Sequence, residues 1–448
     1  MPDYVPHTDA EIDAMLGFLG LDHLGQLYDH IPHAVRLARG LDLPEGLSES
    51  EVISAFDGFA QRNRAAATDL VCFAGGGAYE HELPSAVKAM ASRSEFLTSY
   101  TPYQPELAQG VLQALFEYQS MLCALSGLDV ANASLYDGAS AAVEGVNLAA
   151  AATGRRHVVV SRGIHPHVRA ALHTYAAGSG LAITEAPLAD GVTAWPADLA
   201  EPACLLVAYP NYLGVLEDVS EAARLAESNG ALLVAYADPV ASGLLRSVGS
   251  MGADVAVGEG QPFGSAMSFG GPYVGLFAVK DAAYVRRWLP GRLVGETVDA
   301  DERRAYVLTL STREQHIRRE KASSNVCTNQ TVIAIAAAFH MAWLGPRGIR
   351  EMALQCARGA RYLRDCLTMI AGVEPAVGAP TLYEQAYRVP RSPLVVLDRL
   401  ADEGFLGGIA LDGDYPELGN AILTTVTETR TRQEIDAFAA AFEKACSP

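Results

Sequence analysis

Hydrophobic and polar positions change their period along the chain, and three zones emerge. Up to about residue 70 the period is helical. Ile12, Met15, Leu16 and Leu19 fall at i, i+3, i+4 and i+7, the spacing of one helix face. Thr8-x-x-Glu11 and Ser48-x-x-Glu51 have the form of capping boxes. In such a box the hydroxyl accepts from the third helical amide and the carboxylate accepts from the cap amide. Residues 1–70 are therefore expected to be a helical segment, packed either on the rest of its own chain or on a partner.

From residue 71 to 315 short apolar runs alternate with helical stretches. The runs are His157–Ser161, Leu181–Leu188, Cys204–Tyr209, Ala231–Ala237, Asp254–Val257 and Tyr273–Val279. Pro166–Ala177 and Val219–Ser228 between them have helical spacing. Continuous apolar strands alternating with helices predict a mostly parallel sheet covered on both faces. Ligands of such sheets sit beyond the carboxyl ends of the strands. Residues 316–448 open with a long helical segment, Gln330–Met369. A strand near Glu384–Arg388, a helix near Ser392–Glu403, strands at Gly408–Leu411 and Ala421–Val426 and a last helix follow. Thr431-x-x-Glu434 caps that last helix. The expected architecture is α/β: a helical N-terminal segment, a large domain with a mostly parallel central sheet, and a smaller C-terminal α+β domain.

Composition narrows the function. A chain of 448 residues accommodates about three domains. Its 52 acidic against 33 basic residues, a net charge of -19, repel phosphate backbones and anionic lipid. Nucleic-acid and membrane-surface binding are not expected. The apolar run Val332–Leu344 is interrupted by His340 and too short to span a bilayer. Residues 1–10 hold no basic region ahead of an apolar stretch, so no leader is expected. Seven cysteines without a C-x-x-C pair suit idle thiols in a reducing cytoplasm. His165-Pro166-His167 has no cysteine or carboxylate beside it, so no metal site is expected.

Four stretches carry candidate chemistry. In Thr98–Gln109 two prolines hold the backbone extended or turned, which presents Ser99, Tyr100, Tyr103, Gln104 and Glu106. The same residues also suit a plain connecting loop. Asn132–Ser140 enters a helix of small residues, and its free amides at Asp137, Gly138 and Ser140 suit a phosphate. An ordinary N-cap by Asp137 or Ser140 explains it equally. Asp238 follows an apolar strand, where a carboxylate can face a protonated pyridine nitrogen or cap a turn. The glycine-rich loop Gly258–Pro272 joins two strands and matches neither the dinucleotide nor the P-loop pattern.

A phosphate turn, a carboxylate after a strand, a glycine-rich segment and a C-terminal α+β domain follow in the order seen in fold type I pyridoxal-phosphate enzymes. The segments SYTPYQPELAQGVLQALFEYQ, DVANASLYDGASAAVE, VAYPNYLGVLED, SFGGPYVGLFA and REKASSNVCTNQ go further. They resemble the glycine cleavage system P-protein family, and within it subunit 1, the alpha subunit of the two-subunit bacterial glycine dehydrogenase (decarboxylating). The resemblance runs from about Tyr4 to Phe442. It implies pyridoxal-phosphate-dependent decarboxylation of glycine, with the aminomethyl group passing to the lipoyl arm of H-protein and no nicotinamide used in that step.

The resemblance also exposes a gap. Pyridoxal phosphate needs a lysine amine for its Schiff base, and the chain has only Lys88, Lys280, Lys321 and Lys444. The family's partner subunit carries D-V-x-x-x-N-x-H-K-T. The matching stretch here starts at Asp254 and sets Gln261 and Pro262 where the histidine and lysine would stand. The expectation is a subunit with a vestigial cofactor pocket at Asp137, Gly138, Ser140 and Asp238. Pyridoxal phosphate would be held covalently by the beta subunit in a heterodimer or α2β2 assembly. This chain would lend Ser99, Tyr100, Tyr103, Gln104 and Asn325 across the interface. Arg318, Arg319 and Lys321 either steer an anion or form a solvated basic face. Two alternatives are a self-sufficient enzyme using Lys280, which follows the glycine-rich turn instead of preceding it, and a scaffold without a catalytic part. Reactive roles for Cys72 and Cys327 are not expected.

Overall fold

A computed structural model describes residues 6–37, 39–66, 68–97, 101–311, 314–322 and 324–448. The chain divides into two compact units, Met1–Asn63 and Arg64–Pro448.

The first unit holds helices α1 (Asp9–Leu19) and α2 (Glu49–Ala60) joined by irregular chain with two short 3-10 turns. Both capping boxes form. The Thr8 amide donates to Glu11 Oε2 at 2.8 Å, and the Ser48 amide donates to Glu51 Oε2 at 2.8 Å. The apolar stripe of α1 is only partly covered: Leu16 is buried, whereas Met15 and Leu19 are 45% and 56% exposed. Ile53, Phe56 and Phe59 of α2 are exposed as well. Within this unit the helices form as the pattern predicts, but much of their apolar surface is exposed.

The second unit is built on a seven-stranded sheet. Its strands are β1 (Val130–Ala131), β2 (His157–Ser161), β3 (Ala182–Ala186), β4 (Cys204–Tyr209), β5 (Leu232–Ala237), β6 (Val255–Glu259) and β7 (Gly275–Val279). Their order across the sheet is β1-β7-β6-β5-β4-β2-β3. From β3 to β6 every neighbour is parallel. Strand β7 runs antiparallel to both β6 and β1. Alternate residues of β4 face opposite ways. Leu205 and Val207 join one core with helix α3 (Gln109–Ser126), while Cys204, Leu206 and Ala208 join another with α4 (Gly138–Thr153). Both faces are therefore buried, as continuous apolar strands require. The small residues of α4 let it lie close to the sheet. A methyl at Gly145 would meet Val234 Cγ1 at 3.0 Å and Val257 Cγ1 at 3.2 Å.

Toward the C-terminus four short antiparallel strands pair in the order Glu374–Pro375, Glu384–Arg388, Ala421–Thr425, Ile409–Ala410. Phe438 of the last helix (Arg432–Cys446) stacks on Phe73 with ring centroids 4.0 Å apart. Phe73 directly follows a segment, Val71–Cys72, that pairs in parallel with Phe405–Leu406. That long-range pairing leaves no periodicity to read in the sequence. Two further features differ from expectation. The long helix runs Thr331–Leu367 but breaks at Gly345, which takes φ 60°. Pro346 follows, and proline both lacks an amide and disfavours helical backbone in the residue before it. A hairpin, Leu293–Val298 with Arg304–Thr309, lies where no strand was expected.

Gly214 adopts φ +80°, and a Cβ there would overlap the backbone carbonyl of Glu384. Gly154 has a similar φ of +71° with nothing within 4 Å. Gly214→Ala should therefore cost at least about 2 kcal/mol more than Gly154→Ala. Urea midpoints of the two variants check this, and equal costs would refute the close approach.

Candidate functional site

A narrow cavity of about 60 Å³ opens beyond the carboxyl ends of β4, β5 and β6, where a parallel sheet places its ligands. Asp238 and Glu259 line it from the ends of β5 and β6, and Glu384 faces them from the small sheet. Pro262, which the comparison with D-V-x-x-x-N-x-H-K-T sets opposite the lysine, is part of the wall. No lysine or arginine lines the cavity among the described residues.

The start of α4 abuts this wall. Asp137 caps the helix, its Oδ1 accepting from the Ser140 amide at 2.7 Å. The Gly138 amide donates to Glu259 Oε2 at 2.9 Å. Glu259 Oε1 accepts from the amides of Gln261 at 3.0 Å and Val274 at 3.3 Å. The position suited to a phosphate therefore holds a carboxylate of the chain itself. Gln261, fully buried, clasps the irregular segment at Tyr79. Its Oε1 accepts from the Tyr79 amide at 3.0 Å, and its Nε2 donates to the carbonyls of Tyr79 and Ser265 at 2.9 Å each.

Asp238 is also engaged. Its Oδ1 accepts from the amides of Val240 and Ala241 at 2.8 Å each, and the Tyr383 hydroxyl donates to its Oδ2. Burial pushes Glu259 up to about 7 in spite of its three backbone donors. Burial likewise pushes Glu384 up to about 7, although its Oε1 accepts from the Gly76 amide at 2.7 Å. His165, beside them, is lowered to about 4 by burial and is neutral. Its Nδ1 accepts from the His167 amide at 3.0 Å, so this histidine caps a helix (Pro166–Ser179). Pyridoxal phosphate does not fit here. Its phosphate would meet Glu259, its ring nitrogen would meet a carboxylate already engaged, and 60 Å³ leaves room for only a few waters.

None of the four lysines lines the cavity. Lys280 follows β7, whose antiparallel register sets Val279 against Val255 and Gly275 against Glu259. It therefore sits at the opposite end of the sheet, about 13 Å of strand away. Burial favours losing its proton, but the Asp254 carboxylate that it contacts outweighs this and holds it as an ammonium. The alternative built on Lys280 fails on this geometry.

A second region gathers the other motifs at an exposed edge. The Tyr103 hydroxyl accepts from Arg292 Nη2 at 2.7 Å, and the same nitrogen donates to the Cys327 carbonyl at 2.9 Å. The Arg292 guanidinium also lies over the Tyr103 ring, 4.6 Å from its centroid. Cys327 and Gln330 donate their amides to the Tyr136 hydroxyl at 3.4 Å and Ser134 Oγ at 3.1 Å. Tyr103, Gln104 and Asn325 are exposed here. Ser99 and Tyr100 lie outside the described residues. Arg318, Arg319 and Lys321 are exposed. Cys327 is an exposed thiol and Cys72 a buried one. His81, Cys356 and Glu428 also meet, but Glu428 already accepts from His81 at 2.8 Å and Cys356 at 3.4 Å.

Sequence reasoning missed Glu259, Glu384 and Arg292. Glu259 lies in the very stretch compared with D-V-x-x-x-N-x-H-K-T, at the asparagine position, and its charge was the available signal. Glu384 and Arg292 carried no local signal, because their partners are far away in sequence.

The buried acids give a pH dependence. Glu384 ionises near the usual 4.5 when unfolded and near 7 when folded. Its stabilising contribution is complete below pH 4.5 and is lost as pH rises through 7, by roughly 3 kcal/mol. Urea unfolding at pH 5 and pH 8 should show the loss, and Glu384→Gln should remove part of it. An unchanged pH slope in the variant would refute the assignment.

Residues 2–442 match the model of the family described as glycine cleavage system P-protein. A Moorella thermoacetica relative named "Probable glycine dehydrogenase (decarboxylating) subunit 1" is 48% identical over 442 residues, 98% of each chain. A crystal structure of glycine decarboxylase (P-protein) of the glycine cleavage system, in inhibitor-bound form, superposes with a TM-score of 0.90 at 44% identity. The match covers 99% of this chain and 100% of that one. A Burkholderia pseudomallei sphingosine-1-phosphate lyase shares the fold alone, at a TM-score of 0.64 and 15% identity over 93% of this chain and 94% of that one. The fold is that of fold type I pyridoxal-phosphate enzymes, and the chain belongs to the glycine cleavage system P-protein family, matching its subunit 1 members from end to end.

Proposed function

We propose that this chain is the half of a glycine-decarboxylating assembly that does not anchor the cofactor. The beta subunit carries the lysine and the pyridoxal phosphate, in a heterodimer or α2β2 assembly, in the cytoplasm. Glycine is decarboxylated there, and lipoylated H-protein takes up the aminomethyl group. The observation that carries this reading is the narrow pocket: proline where the motif sets the lysine, a carboxylate at the start of α4, and no lysine or arginine among the described lining residues.

Surface chemistry supports a partner. Phe18 is 91% exposed on the first unit, and Leu107 is 84% exposed beside the Tyr103 loop of the second. Phe18 continues an exposed apolar face of α1 with Met15 and Leu19, at i, i+3 and i+4, and a contiguous face of this kind marks a contact surface. This chain's contribution is positional. Arg292 holds the Tyr103 loop against the segment carrying Asn325, so Tyr103, Gln104 and Asn325 stand together where a neighbour's pocket can receive them. Ser99 and Tyr100 belong to the same proposed loan.

Two experiments test the reading. Borohydride reduction with pyridoxal phosphate, followed by mass spectrometry, should give no specific lysine adduct on this chain and one on the beta subunit when the two are combined. A specific adduct on Lys280 or Lys321 would overturn it. Tyr103→Phe, with the assembly intact by sedimentation, should raise the KM for glycine or lower kcat by about tenfold, the scale of one charge-assisted hydrogen bond. Unchanged kcat and KM would favour a scaffold.

A further inference from the structure

The start of α4 has the geometry of an occupied anion site. Three backbone amides, of Gly138, Gln261 and Val274, converge on the Glu259 carboxylate at 2.9, 3.0 and 3.3 Å. The helix dipole adds its positive end. The carboxylate has no cationic side chain near it in the cavity wall, where the other carboxyls are Asp238 and Glu384. Its surroundings are tight. A Cβ at Gly138 would overlap the Tyr236 hydroxyl and lie 3.0 Å from Glu259 Cβ, so helix and strand end are pressed together around this one group. An anion held here is costly to desolvate; the three amides offset part of that cost, and the carboxyl still rises to about 7.

We propose that Glu259 is an intramolecular stand-in for phosphate: it fills the anion site that the fold builds at the start of α4, and so bars phosphate-bearing ligands, pyridoxal phosphate included, from this chain's own pocket. The missing lysine removes only the covalent bond. Glu259 removes the non-covalent half of cofactor binding, first by occupying the amides and second, above about pH 7 where it is ionised, by repelling a dianion across a few ångströms. Gln261 completes the closure by fastening the irregular segment at Tyr79, which lines the pocket. Only the consequence for the cofactor rests on the reading that it is anchored in the partner. The plugged anion site stands on this chain's own geometry.

The test uses the full-length chain and inorganic phosphate, followed by phosphorus NMR line broadening and by thermal shift, with chloride matching the ionic strength. Wild type should show no saturable binding. Glu259→Ala frees the amides and should bind phosphate at least about tenfold more tightly, the scale of restoring charge-assisted bonds to backbone donors. Glu259→Gln keeps the shape of the side chain and guards against a variant that fails to fold. It removes the repulsion and should gain affinity by a smaller factor. Saturable binding by wild type equal to that of the folded variants would overturn the proposal. So would folded variants that bind no better than wild type. Pyridoxal phosphate, added to the variants as a second probe, should compete with the inorganic phosphate, and failure to compete would place the gained site elsewhere. Neither result alters the borohydride map, so a failure here is separable from a failure of the two-subunit reading.

Discussion

The contact between the Glu259 carboxylate and the Gly138 amide organises the carboxyl edge of the central sheet. With the Val274 amide, which donates to the same carboxylate, it adds side-chain bonds between the end of β6, the start of α4 and the residue before β7, where β6 and β7 already pair as antiparallel neighbours. The constraint behind it is general. A helix start presents amides with no partner inside the helix, and a buried one must find an acceptor. In a cofactor enzyme of this fold a phosphate can serve. Here a side chain serves, and the acidic cavity wall follows from that choice. With Glu259 in place, a basic residue is not needed to neutralise a ligand, and Asp238 is free to cap the turn after β5.

The two sets of residues given different roles in the sequence occupy different places in the fold. Asp137, Gly138, Ser140 and Asp238 all fall around the closed pocket and are engaged in capping or backbone bonding. Tyr103, Gln104 and Asn325 fall on an exposed edge, gathered by Arg292. The first set makes the chain rigid at the point where the fold would bind a ligand, and the second offers side chains outward. That division agrees with a subunit that supplies surface to another subunit's chemistry.

Much of the fold was legible because local rules determine it. The apolar runs gave the parallel strands, and the three capping boxes gave the starts of α1, α2 and the last helix. What failed was non-local. The break at Gly345 follows from one proline inside a strong helical pattern, and the pattern outweighed it in the sequence reading. The hairpin at Leu293–Val298 has only two buried residues at its start, so its strands lack the continuous apolar run of the sheet. For the site, setting Pro262 opposite the lysine takes only counting along one motif. The bond between Glu259 and the Gly138 amide cannot be counted in this way, because the two residues lie 121 apart. Arg292 was invisible for the same reason: its bonds reach back 189 residues to Tyr103 and forward 35 to Cys327.

The plugged pocket and the exposed edge are physically contiguous. Glu259 fixes Gly138, and Gly138 begins α4 directly after Tyr136 and Asp137. Tyr136 and Ser134, in the same turn, accept the amides of Cys327 and Gln330. Cys327 in turn accepts from Arg292, which holds Tyr103. A mobile ligand at the start of α4 would make the position of this turn depend on occupancy. A covalently attached carboxylate does not dissociate, so the turn is set whenever the chain is folded. The edge that carries Tyr103 and Asn325 then needs no cofactor of its own to be in place. On this view closing the pocket is part of how the edge is presented, because the same backbone that loses a ligand site gains a fixed position from which to serve another one.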